Sequence, residues 1–126
     1  MRVLIDSSIW IAYFSGNQEL NNLDHLIDEN LIVANHIILS ELIPFLKIKN
    51  EKKLISLLRQ VELVELNIDW DEIIHVQTKC LRAGNNGIGI PDLIITQNAI
   101  QNNCSIYSLD KHFKLLNKVT KLELYE

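Results

Sequence analysis

Short runs of branched apolar residues that stop on a carboxylate restrict this chain's fold more than any other feature of its sequence. Val3-Leu4-Ile5 is such a run, and Asp6-Ser7-Ser8 ends it. Uninterrupted apolar runs of this length fit strands buried on both faces, as in parallel sheets covered by helices. An acid there puts charge at the carboxyl end of a buried strand, where open parallel sheets bind their ligands. Helix capping is the other use of the same residues. Ser7 or Ser8 can serve as the N-cap of a helix through Ile9-Trp10-Ile11-Ala12-Tyr13-Phe14, with Asp6 assisting.

The pattern continues along the chain. The first helix is expected to end near Ser15-Gly16-Asn17, and Leu20, Leu23, Leu26 and Ile27 make an amphipathic helix over Glu19 to Glu29. Leu31-Ile32-Val33-Ala34 reads as a second buried strand, and Asn35 as the N-cap of a helix from His36 to Lys49. Within it Glu41 shares an apolar stripe with Ile38, Leu42 and Phe45, so it is expected to face the core and to need a partner or a cation. Pro44 should bend that helix. A further helix, Asn50 to Gln60, has an apolar face at Leu54, Leu57 and Leu58 and a basic opposite face, read as solvated surface or as a rim contact for RNA. Glu62 to Leu66 alternates like a third strand, and Asp69 with Glu72 forms a capping box for a helix through Ile73, Ile74, Gln77 and Leu81 to Gly84.

The glycines of Gly84-Asn85-Asn86-Gly87-Ile88-Gly89 follow a helix and lack the order of a nucleotide-binding loop, so they mark a connection. Pro91 then opens a helix whose first turn holds Asp92, in line with Ile95, Thr96 and Ala99. Cys104-Ser105-Ile106-Tyr107 is a fourth buried strand closed by Ser108-Leu109-Asp110, and Leu122-Glu123-Leu124 is a candidate edge strand. Alternation of strand and helix favours a parallel α/β sheet of four to five strands, and 126 residues with 48% hydrophobic content make one domain, 1–126, with a real core.

Cys80 and Cys104 lie in apolar surroundings without a Cys or His at ligand spacing, which fits buried thiols and excludes a zinc ribbon. No apolar run reaches the roughly 20 residues of a membrane span, so a soluble cytoplasmic protein with no membrane partner is expected. The net charge of −4 argues against nucleic acid as a partner until the acids are divided by use. With four of the 16 acids committed to metal, the remaining twelve balance the 12 Lys and Arg. Asp6, Glu41, Asp92 and Asp110 are the four, since a doubly wound sheet brings strand ends and helix starts to one edge. Clustered carboxylates raise one another's pKa unless a cation neutralises them, and oxygen donors select Mg²⁺ or Mn²⁺. Such a centre hydrolyses phosphodiesters.

The blocks Val-Leu-Ile-Asp-Ser-Ser-Ile-Trp-Ile, Leu-Ser-Glu-Leu, Ile-Pro-Asp-Leu-Ile-Ile and Ile-Tyr-Ser-Leu-Asp-Lys-His-Phe resemble, in order and spacing, the four motifs of PIN domains, and most of all those of VapC-type toxins from bacterial toxin–antitoxin pairs. The resemblance implies a three-layer α/β/α sandwich and a Mg²⁺- or Mn²⁺-dependent endoribonuclease. It also implies a homodimer and a small cognate antitoxin that blocks the acidic cleft. Asp6, Glu41, Asp92 and Asp110 correspond to the family's acids, and Ser8 to a hydroxyl lining the site. His112 departs from the pattern, standing where many members carry a further acid. It is expected to be an exposed imidazole beside Lys111, and is a candidate RNA contact with Lys111, Lys114 and Arg82.

Other phosphate chemistries fit poorly. A phospho-accepting receiver needs a carboxylate pair after the first strand, and a haloacid-dehalogenase-type phosphatase needs Asp-x-Asp where this chain has Asp6-Ser7-Ser8. A PIN domain of ordinary RNA maturation, or one kept as a binding module, is the remaining alternative.

Overall fold

The computed structural model describes residues 1–16 and 20–126. Its elements are β1 (Val3–Ile5), α1 (Ser7–Phe14), α2 (Asn21–Asp28), β2 (Ile32–Val33), α3 (His36–Ile48), α4 (Lys52–Leu58), α5 (Trp70–Arg82), α6 (Ile90–Gln101), β3 (Ser105–Tyr107) and α7 (His112–Val119). Asn17 and Glu19, the expected end of the first helix and start of the second, lie outside the described residues.

The strands form a parallel sheet in the order β2-β1-β3, so the chain leaves β1 toward one side and returns on the other. Both faces are covered, as uninterrupted apolar strands require. Leu4, Val33 and Ile106 pack with Ile73, Leu93, Ile95, Phe113 and Leu116 from α5, α6 and α7. Val3, Ile5 and Ile32 pack with Ile9, Trp10, Leu23, Leu42 and Leu46 from α1, α2 and α3. The result is the expected three-layer α/β/α architecture. Cys80 and Cys104 are buried and free. Among the described residues no helix is long and apolar enough to cross a membrane.

The sheet is narrower than the expected four to five strands. Leu63 pairs with Ala34, and Leu124 with Ile106, through single parallel bridges at the two edges. Beyond Leu63 the backbone is claimed by amide side chains of α6. Asn98 Nδ2 donates to the Glu65 carbonyl at 2.9 Å, Gln101 Nε2 to that of Asn67 at 2.9 Å, and Gln97 Nε2 to that of Asp69 at 3.1 Å. Helix amides thus satisfy the backbone groups that a strand ladder would otherwise satisfy. Gln97 also alters the expected capping box. Asp69 Oδ1 accepts from the Glu72 backbone at 3.2 Å, but the Glu72 carboxylate accepts from Gln97 and not from the Asp69 backbone.

Four apolar assignments fail. Ile27 of α2, Leu57 of α4, and Ile74 and Leu81 of α5 are exposed, each at the margin of a stripe whose buried members are Leu23 and Leu26, Leu58, or Ile73 and Cys80. α6 has no polar face to speak of, since every residue from Leu93 to Ala99 is buried, Thr96, Gln97 and Asn98 included.

Asn98 also joins α6 to α3. Its Oδ1 accepts from Asn35 Nδ2 at 2.9 Å, while Asn35 Oδ1 caps α3 by accepting from the Ile38 backbone at 2.9 Å. Asn98→Ala strands the Asn35 amide and the Glu65 carbonyl, and should cost about 2–3 kcal/mol of folding stability. Urea denaturation should show this as a lower midpoint with an unchanged slope. An unchanged midpoint would show the link to be dispensable.

Candidate functional site

β1 runs straight into α1, and the residue between them is Asp6. Its side chain, and not Ser7 or Ser8, caps the helix, accepting from the Ser8 backbone in a long 3.4 Å contact. Capping is a minor part of its bonding. Asp6 is 5% exposed, and its Oδ2 accepts from the hydroxyls of Ser8 and Ser108, both at 2.7 Å. The two hydroxyls are 3.2 Å apart, so the end of β1 and the end of β3 share one hydrogen-bonded group. Ser8 Oγ further accepts from the Leu109 backbone at 3.0 Å, and Ser108 Oγ from the Asp110 backbone at 2.9 Å. Ser108 was not among the residues the motifs singled out. The signal was there, because it stands after β3 as the serines stand after β1.

Asp110 in turn accepts at Oδ1 from the His112 backbone at 2.9 Å, which sets the start of α7. The His112 ring is not the exposed imidazole expected beside Lys111. Its side chain is 28% exposed, with Nδ1 at 3.0 Å from Asp92 Oδ2 and 3.6 Å from Asp110 Oδ1. Asp92 occupies the first turn of α6, where the helix dipole favours a negative charge. One ligating atom from each of Asp92, Asp110 and His112 fits within a 4.8 Å cluster.

Glu41 corrects a second expectation. It does not face the core: it is exposed, on the edge of the stripe formed by Ile38, Leu42 and Phe45. It still belongs with the other acids electrostatically. Partial desolvation pushes its carboxyl above the ordinary glutamate range, the charges of Asp6 and Asp92 push it further, a hydrogen bond with Ser7 opposes them, and Asp110 adds to the rise. Burial likewise raises Asp92, against the opposing hydrogen bond from His112, with Asp110 and Asp6 adding to the rise. Asp92 and Asp110 therefore cluster with His112, while Asp6 and Glu41 lie outside that cluster and are linked to it by charge, and Asp6 to Asp110 also through Ser108. Arg82, Lys111 and Lys114 are exposed, and among the described residues none of them is ion-paired with these acids.

A carboxyl with a higher pKa folded than unfolded binds more protons when folded. Its stabilising contribution is therefore complete below the unfolded pKa and is lost as pH rises through the folded value. Asp92→Asn removes that loss. In EDTA its melting temperature at neutral pH should exceed the wild type's by roughly 2–4 °C. The difference should vanish below about pH 4, where aspartate in the unfolded chain protonates. A variant melting no higher than wild type at neutral pH would contradict the raised carboxyl.

Comparison with curated proteins finds no significant sequence relative. Among solved structures, a chain of VapBC2 from Rickettsia felis bound to a promoter DNA fragment superposes with a TM-score of 0.77 at 23% identity, covering 99% of this chain and 98% of that one. A chain of a toxin–antitoxin complex from Klebsiella pneumoniae gives 0.62 at 19% identity, covering 86% and 87%. VapC20 of Mycobacterium tuberculosis, described as a sarcin–ricin loop cleaving toxin, gives 0.62 at 12% identity, covering 90% and 93%. These likenesses establish the fold. The sequence pattern of the PIN domain matches residues 3–119, nearly the whole chain, and with that match the protein belongs to the PIN domain family.

Proposed function

We propose that this protein is a divalent-cation-dependent endoribonuclease acting in the cytoplasm as the toxin of a toxin–antitoxin pair. One observation carries the reading. Asp92, Asp110 and His112 each offer one donor atom within a 4.8 Å cluster, the charges of neighbouring acids add to the desolvation that raises Glu41 and Asp92, and no Lys or Arg is ion-paired to these acids among the described residues. A charge cluster of that kind fits a divalent cation, and its oxygen donors fit Mg²⁺ or Mn²⁺. RNA as substrate and a small antitoxin as partner are supported by membership of the PIN family and by what the structurally similar chains are described as cleaving or being complexed with. A homodimer accords with the resemblance in the motifs.

Asp6, Asp92 and Asp110 would hold the cation. When bound, it supplies Lewis-acid stabilisation of charge on the scissile phosphate and lowers the pKa of water. Ser8 and Ser108 occupy Asp6 Oδ2 and leave Oδ1 without a protein partner among the described residues, so the carboxylate is oriented and one oxygen stays available. Glu41 sits at the rim with a raised pKa, which suits it to take the proton of the attacking water. Lys111, Lys114 and Arg82 contact flanking phosphates in this reading, as positioning charges.

The test is cleavage of total RNA by the purified protein, free of antitoxin, with Mg²⁺ or Mn²⁺ against EDTA. Asp6→Asn and Asp92→Asn should each lower the rate roughly 100-fold or more while retaining helical circular dichroism. If folded wild-type protein cuts no RNA with either ion and binds neither, the chain is a binding module and the nuclease reading fails.

A further inference from the structure

We propose that His112 is itself a ligand of the cation through Nδ1, so that the centre is a mixed carboxylate–imidazole site preferring Mn²⁺ to Mg²⁺. The proposal rests on the metallonuclease reading and makes it specific to this chain.

The geometry carries the assignment. Adjacent donors in an octahedral shell of about 2.1 Å radius lie about 3 Å apart. His112 Nδ1 and Asp92 Oδ2 already stand at 3.0 Å, and Asp110 Oδ1 completes the face from 3.6 Å. A small closing movement of Asp110 would bring all three donors to one ion. The other ring nitrogen cannot take this role in the same rotamer, because Nε2 points to the 85–89 connection, where a Cβ built on Gly87 would lie 3.9 Å away. The ring is also held at its root. The His112 backbone donates to Asp110 Oδ1, so the imidazole and this carboxylate are positioned by the same turn at the start of α7.

A hydrogen bond from Nδ1–H of His112 to Asp92 would give similar distances without any metal. The two accounts differ in what happens when an ion arrives. A ligand gives up any proton on Nδ1 and coordinates, whereas an imidazole that only donates to Asp92 is displaced. They also differ in selectivity. A neutral nitrogen donor in place of a carboxylate removes one negative charge from the shell, which weakens binding of Mg²⁺, a hard ion that favours oxygen. Mn²⁺ binds nitrogen more readily and loses less.

The experiment uses the whole protein with Mn²⁺ alone as probe. Binding is followed by the electron paramagnetic resonance signal of free Mn²⁺, and coordination by electron spin echo modulation from ¹⁴N. Wild type should bind Mn²⁺ with a directly coupled ¹⁴N. His112→Asp should keep Mn²⁺, lose the nitrogen coupling and narrow the ratio of Mg²⁺ to Mn²⁺ dissociation constants about 10-fold. His112→Gln should weaken Mn²⁺ binding by a similar factor with unchanged circular dichroism. Bound Mn²⁺ without ¹⁴N coupling in wild type, or a coupling that persists in His112→Asp, overturns the proposal and leaves the nuclease reading standing. Failure of wild type to bind Mn²⁺ at all overturns both.

Discussion

Asp6 stays buried at the end of the central strand because the hydroxyls of Ser8 and Ser108 satisfy one of its oxygens from two directions. Without them, an ionised carboxylate in that position would carry a desolvation cost of several kcal/mol. Hydrogen bonds to a charged acceptor each return about 1.5–3 kcal/mol. The consequence reaches beyond Asp6. Ser108 follows β3, and its oxygen also accepts from the Asp110 backbone, which fixes the turn from which α7 starts. Asp110 then holds the His112 backbone, and the His112 ring meets Asp92. A single buried charge thus sets, through short polar contacts, where a helix begins and where the second acid of the site stands.

The sheet can serve as the base for this arrangement because it is packed on both faces and has little freedom to shift. Val3 and Ile5 point into one layer and Leu4 into the other, all without exposed surface. Interiors packed this way are bistable at most, not continuously deformable. The carboxyl ends of β1 and β3 are therefore held in register, with the Asp6 backbone donating to the Tyr107 carbonyl at 3.0 Å.

Residues whose role follows from chain-local chemistry were legible in the sequence, and residues whose role depends on a distant partner were not. Val3-Leu4-Ile5 and Ser105-Ile106-Tyr107 are strands for the reason their composition implies. Asp6, Asp92 and Asp110 stand at strand ends and a helix start because the alternation of elements puts them there. Glu41 lies outside the core because helical spacing marks a stripe but not its edge. The strand expected at 62–66 is reduced to one bridge, because Asn98 of α6, 33 residues away in sequence, takes the Glu65 carbonyl, and Gln101 and Gln97 take those of Asn67 and Asp69 just beyond it. His112 looked solvated beside Lys111, and its ring turned inward only because Asp92 arrives from another helix.

The same arrangement bears on how an acidic protein with a net charge of −4 could handle an anionic substrate. Under the proposed function the acids by themselves repel phosphate, since none of them has a paired Lys or Arg among the described residues and the carboxyls of Glu41 and Asp92 lie above their ordinary range. A divalent cation reverses the local sign, so its binding and that of RNA favour one another. By linkage the two affinities must rise by the same factor, whichever ligand comes first. The stability lost by gathering the acids is then not a defect of the fold. Under the proposed function, an ion bound at the ends of β1 and β3 would offset that loss by neutralising the acids.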